Sequence, residues 1–236
     1  MPSSARPPKT TSLSLLIIIK NLCSSFGANL LVLFLAVSIN GCGGKIITQI
    51  VYEGNQFYER QQYDKALALY KEAYKQDPNN LAVKNNLGVT YSVLNDQAQA
   101  IKYLNLAIAQ DKKDYIAHYV LADIYLKQNE LNQALDEALT AKSLNTKETQ
   151  IYETLGKIYM ALKQYDNAIS TFTDLINLDQ YEPHNFVELA NAYLANKDID
   201  KAKANLNKAL ELDSDNKEAK DLLIKIAKDE KPKMSD

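Results

Sequence analysis

"KNNLGVTYSVLNDQAQAIKYLNLAIAQDKKD" (Lys84–Asp114) aligns with "IVYEGNQFYERQQYDKALALYKEAYKQDPNN" (Ile50–Asn80) at a shift of 34 residues, without a gap. A fixed period of this length is the mark of a repeat architecture and decides the fold before any single motif does. Counted from Ile47, the period runs through five units, 47–80, 81–114, 115–148, 149–182 and 183–216. Unit position 8 is small throughout (Gly54, Gly88, Ala122, Gly156, Ala190), and position 11 is aromatic (Phe57, Tyr91, Tyr125, Tyr159, Tyr193). Position 20 is always alanine: Ala66, Ala100, Ala134, Ala168 and Ala202. Position 7 is leucine in every unit but the first, which has Glu53.

Two antiparallel helices approach closely only where their side chains are small. The small residues at positions 8 and 20 therefore read as a hole, which the aromatic at position 11 is expected to help fill. Composition agrees with helices: 7 glycines, 6 prolines and no tryptophan in 236 residues leave few breakers among many helix formers. Proline stands at position 32 only in the first unit (Pro78), so the later helices are expected to end on looser stops carrying Asp and Asn.

This pattern resembles the tetratricopeptide repeat over 170 of the 195 residues from Cys42 onward. The resemblance implies an all-α fold, a right-handed α-solenoid of five helix pairs. Beyond them, 217–228 ("KEAKDLLIKIAK") places Ala219, Leu222, Leu223, Ile226 and Ala227 on one face, as a capping helix would. Residues 229–236 read as a disordered tail.

At the other end, residues 1–41 read as a targeting leader: basic residues, then an eleven-residue apolar run, Asn29 to Ile39. That run is short of the roughly 20 residues a membrane-spanning helix needs. Ile39-Asn40-Gly41-Cys42 resembles the lipobox of bacterial lipoproteins. The resemblance implies cleavage before Cys42 and lipidation of its thiol and new amino group. Gly43 takes the place of the aspartate that, by family rule, retains lipoproteins in the inner membrane, so the expected location is the periplasmic face of the outer membrane. The alternative is an uncleaved signal anchor in the inner membrane. Residues 42–46 would leave only a short tether, about 14 Å when fully extended, before the first repeat.

The three bases before Cys42 have no acid among them, which leaves 24 of the 27 bases against all 29 acids beyond it. That balance, about −5, argues against nucleic acid as a partner. Cys23 and Cys42 are the only cysteines, so the repeats hold neither disulfide nor cysteine metal site. His118, at a packing position, and His184, with no acidic partner in view, read as structural or solvated. Catalytic residues, cofactor, metal and small-molecule substrate are all expected to be absent.

Arrays of the resembled family bind partners along the concave face, at unit positions 2, 5, 6, 9, 12 and 13. In this chain the candidate residues are Val51, Asn55, Tyr58, Asn86, Val89, Ile116, Tyr119, Asp123, Leu126, Lys157, Met160 and Asn191, with Asn85, Val93, Val120, Glu153, Val187 and Leu194 at equivalent positions. An apolar middle with amide and mixed-charge edges suits an extended peptide or an amphipathic helix of a protein partner. The family's carboxylate clamp is not expected, because Val51, Ile116 and Val120 stand where its bases belong. The whole reads as a lipid-anchored, non-catalytic adaptor of the cell envelope, aiding assembly of a secretin, pilus or similar machine. The alternative is an accessory subunit of an enzyme complex for polysaccharide synthesis or export, or for cell-wall remodelling.

Overall fold

A computed structural model describes residues 46–229, and all of their regular structure is helical. Helix α1 covers 46–59, followed by α2 (Tyr63–Gln76), α3 (Leu81–Val93), α4 (Gln97–Gln110), α5 (Tyr115–Lys127) and α6 (Leu131–Leu144). Then come α7 (Thr149–Ala161), α8 (Tyr165–Leu178), α9 (Pro183–Ala195), α10 (Ile199–Leu212) and α11 (Lys217–Asp229). From α3 onward, the first helix of each pair (A) starts 34 residues after the last, at Leu81, Tyr115, Thr149, Pro183 and Lys217. The second helices (B) keep the same step from Tyr63 to Ile199. Each described B helix packs on the A helices flanking it in sequence from α3 onward, and A helices of successive units also touch, α3 with α5 and α5 with α7. The chain is an α-solenoid with the A helices as its inner layer.

The tight contact inside each pair differs from the one expected. A Cβ built on Gly54 would meet Tyr70 Cε1 at 2.6 Å, one on Gly88 would meet Leu104 at 2.6 Å, and one on Gly156 would meet Phe172 Cε1 at 2.4 Å. The hole at position 8 is therefore filled from the facing B helix, by position 24, not by the aromatic at position 11. The position-11 ring lies to the side: Tyr91 stacks on Tyr103 with centroids 5.7 Å apart, and Lys71 Nζ lies over the Tyr91 ring, 5.2 Å from its centroid. Lys65 and Lys201 lie likewise over Phe57 and Tyr193. Alanines 66, 100, 134, 168 and 202 are fully buried, as the close approach of the pair requires.

The turns are more regular than the missing prolines suggest. At every B-to-A turn the residue at position 31 (Asp77, Asp111, Asn145, Asp179, Asp213) accepts the N–H two residues on through its side chain. This Asx turn ends the helix without proline, so the expectation of looser stops is not met. At every A-to-B turn, position 15 has positive φ, from 59° at Gln61 to 64° at Lys197, and none of the five is glycine. The next residue donates back to the carbonyl of position 11, as Asp96 does to Tyr91 at 2.9 Å, closing a Schellman motif. Asp96 and Asp198 also cap the following B helix with their carboxylates, whereas Gln62, Glu130 and Gln164 do not.

The ends follow the same logic. Gln49, Glu53 and Gln56 occupy positions 3, 7 and 10 of α1, where α3 buries Val83, Leu87 and Thr90. Among the described residues Gln49 and Glu53 on that side of α1 are exposed and Gln56 is half-buried. Helix α11 falls in the place of a sixth A helix without a B partner among the described residues. Ala219 and Ile226 are buried against the last repeat and Leu222 and Leu223 pack beside them, but Ala227 is exposed, contrary to its expected place on the apolar face. Ile224 occupies position 8 and is 53% exposed, a size that no paired unit accepts there. Asp229 closes α11, and the remainder of the expected tail (230–236) lies outside the described residues, as do 1–45 with Cys42.

Two stability predictions follow from these contacts. Gly156→Ala should destabilise the array by about 1–3 kcal/mol in urea unfolding, because the overpacking against Phe172 outweighs the helix propensity gained. Adding Phe172→Leu recreates the Ala190/Leu206 pair, so the double variant should recover part of that loss. At the turns, Lys163→Gly should raise stability by about 1 kcal/mol, by relieving a left-handed conformation that costs a side chain roughly 1–3 kcal/mol.

Candidate functional site

The A helices bring the candidate residues onto one inner surface, but not all to the same depth. Asn85, Val120 and Val187 are buried between repeats and cannot line a groove. Asn85 donates to Asp114 Oδ2 at 2.6 Å, and Asp114 in turn caps α5, so this polar pair fixes one unit against the next. Val51, Tyr58, Val89, Ile116 and Tyr119 are half-buried against the first core cluster, Met160 against the second and Leu126 against another. These side chains join units together and leave only part of their surface for a partner.

Between α1 and α3 lies a cleft of about 250 Å³, lined by Asn55, Tyr58, Glu59, Tyr70, Asn86, Val89 and Thr90. Asn55 Oδ1 accepts from Tyr70 Oη at 2.7 Å and from Asn86 Nδ2 at 3.1 Å, which orients the amides at its floor. A second cleft of about 390 Å³ lies at the other end, between α9 and α11, lined by Leu194, Ile199, Leu222, Ile226, Lys225 and Asp229. The first has an amide and phenol lining, the second an aliphatic one.

Charged residues occupy the inner surface between them. Lys127 Nζ is 2.6 Å from Asp123. Lys157 pairs with Glu153 along α7 and lies 3.7 Å from Glu188 of α9. Burial pulls the Lys157 pKa down, but Glu153, Glu188 and Asp123 together carry it above the usual lysine value. His184 Nε2 is 3.3 Å from Glu188 and its Nδ1 is 4.0 Å from Glu218 of α11. The expectation that His184 lacks an acidic partner is therefore wrong. Sequence reasoning passed over Glu188 and left His184 unpaired, although they hold positions 6 and 2 and their i, i+4 spacing was visible. Asn191 is half-buried on the same surface. His118 is buried, with Nδ1 2.6 Å from Glu137 and Nε2 3.3 Å from the Lys112 carbonyl, which fits a packing role.

Among the described residues no group of three or more His, Cys, Asp and Glu could hold a metal ion, and no helix is long and apolar enough to cross a membrane.

Two phenols are strongly perturbed. Burial first, then the nearby Tyr58, Glu148, Asp123 and Tyr115, push Tyr119 up to about 12. Burial, then Tyr58 and Glu59, push Tyr70 to about 12 as well. A folded pKa raised above the unfolded value of 10.0 means that their contribution is complete below pH 10 and is lost as the pH rises toward 12. Thermal melts should therefore fall steeply above pH 10, and Tyr119→Phe should flatten that decline without changing the slope at neutral pH.

A tetratricopeptide repeat family model matches residues 57–114 and 159–226, more than half of the chain, and a second model of the same description matches 93–147. The anaphase-promoting complex subunit CDC16 of Saccharomyces cerevisiae is 30% identical over 86 residues, 36% of this chain and 10% of its own. This chain spans about a tenth of the length of the curated relatives it matches. The crystal structure of MamA is 27% identical, with a TM-score of 0.61 over 68% of this chain and 94% of that one. YrrB, described as a TPR protein with an unusual peptide-binding site, shares the fold at 20% identity, with a TM-score of 0.62 over 77% of this chain and 97% of its own.

Proposed function

This chain belongs to the tetratricopeptide repeat family, a scaffold for protein–protein interaction, and from that premise we propose that it is a lipid-anchored, non-catalytic adaptor of a bacterial cell envelope. The observation that carries the binding part is the inner surface, where clefts between A helices sit at both ends of a charged, partly apolar wall. Such a surface receives an extended peptide or amphipathic helix by side-chain anchors rather than by reaction. YrrB, with the same fold and a peptide-binding site, supports this use of the array. Aid to the assembly of a secretin, pilus or similar machine is the role we favour for such a tethered array.

The anchoring part rests on Ile39-Asn40-Gly41-Cys42 and on Gly43, which favours the periplasmic face of the outer membrane. Several acyl chains, each methylene contributing about 0.8 kcal/mol on burial, hold a protein stably at a membrane. The first described helix starts at residue 46, so the array would work close to that surface.

Both parts are testable. Intact mass of protein extracted from membranes should give a lipidated species beginning at Cys42, and Cys42→Ser should release the protein from the membrane fraction. A species beginning at Met1 with no added lipid would end the lipoprotein reading. For the groove, Tyr119 and Leu126 are too deeply packed to change safely. Val93, 46% exposed, and Asn86 at the cleft are better sites. Val93→Asp with Asn86→Lys should abolish partner capture from solubilised membranes while leaving the helical circular dichroism unchanged.

A further inference from the structure

We infer that the partner segment is extended and basic, with an aromatic anchor in the α1/α3 cleft, an aliphatic anchor in the α9/α11 cleft, and a lysine or arginine seated at Glu188 and Glu218. The inference rests on the inner surface being the binding face, and adds what that face selects.

The charge comes first. From α5 to α11 the inner surface carries four carboxylates, Asp123, Glu153, Glu188 and Glu218, against two ammonium groups, Lys127 and Lys157, while Lys225 and Asp229 in the second cleft offset each other. Lys127 is held by Asp123, and Lys157 is divided between Glu153 and Glu188. Glu188 has a side chain only 16% exposed, so its charge is poorly hydrated, and its remaining partner is the His184 ring. Glu218, 54% exposed, faces the same ring from α11. A guanidinium or ammonium entering from the groove supplies positive charge to a pair of carboxylates that have only a share of Lys157 and the His184 ring, and arginine can engage them through several donors. An acidic segment would meet the same surplus as repulsion.

The anchors follow from the clefts. The first, with Tyr58, Tyr70 and Val89 beside the Asn55 and Asn86 amides, suits a ring with a polar edge. The second, with Leu194, Ile199, Leu222 and Ile226, suits an aliphatic side chain. Four steps from one A helix to the next separate them, about 35 Å at the usual interhelical spacing of 8–10 Å. An extended chain covers that distance in about ten or eleven residues. The basic residue falls nearer the aliphatic anchor, since Glu188 and Glu218 belong to the same helices as that cleft.

The experiment uses the purified chain and fluorescein-labelled synthetic peptides of about twelve residues, each with a tyrosine and a leucine anchor at this spacing and made in both sequence directions. One set carries arginines near the leucine, a second carries glutamates there, and a third replaces both anchors by serine. Fluorescence polarisation should show the arginine set binding at least tenfold tighter than the other two, with the preference weakening as salt is raised. Glu188→Gln with Glu218→Gln, checked by circular dichroism, should erase the preference for arginine over glutamate. Equal binding of the arginine and glutamate sets, or a preference that survives the double substitution, overturns this inference and leaves the binding face standing. Failure of every peptide in both directions overturns both.

Discussion

The structure depends on one constraint: the A and B helices of a pair come so close that position 8 holds only Gly or Ala, and in three of the five pairs the side chain at position 24 occupies the space where its Cβ would be. Tyr70, Leu104 and Phe172 each fill such a place over Gly54, Gly88 and Gly156. Alanine is tolerated at position 8 opposite Ala138 in the third unit and opposite Leu206 in the fifth, and nothing larger appears in any paired unit. The contact fixes the tilt of each pair and, through the buried alanines at position 20, the distance between its helices. Repeating this close pairing of small residues at positions 8 and 20 every 34 residues generates the array and lines the A helices up as one inner surface.

The period was plain in the sequence because each unit repeats the same side-chain sizes at the same places. Which residue fills the hole was not. Position 11 is uniformly aromatic and draws attention, whereas position 24 varies as Tyr, Leu, Ala, Phe and Leu and looks unconstrained. A filler can change shape as long as its socket adapts, so the uniformly aromatic position marked the socket's neighbour rather than its occupant. The turns taught a related lesson. Proline at position 32 was a conspicuous stop, yet the Asx turn at position 31 does that work in all five units.

The binding surface was legible only in part, for a different physical reason. Inner positions alternate between joining repeats and facing the groove, and a side chain such as Tyr119 does both. Periodicity therefore locates the surface but does not grade its depth, and Asn85, Val120 and Val187 proved to belong to the core. The charged ladder was harder still, since its ion pairs cross from α7 to α9 and its histidine contact from α9 to α11, with Asp123 of α5 acting on Lys157 only through its charge. Its helix-internal links are visible as i, i+4 pairs, but its links between helices appear only once the solenoid is built.

Exposed apolar side chains also occur on the B helices, at Leu106, Leu139 and Leu178, so the inner surface competes with an outer one for the role of docking face. Site-specific photo-crosslinking in living cells separates them. A benzoylphenylalanine placed at Val93 or Asn191 should give a discrete crosslinked partner, and the same probe at Leu106, Leu139 or Leu178 should not. A partner captured only from the B-helix positions would contradict the account.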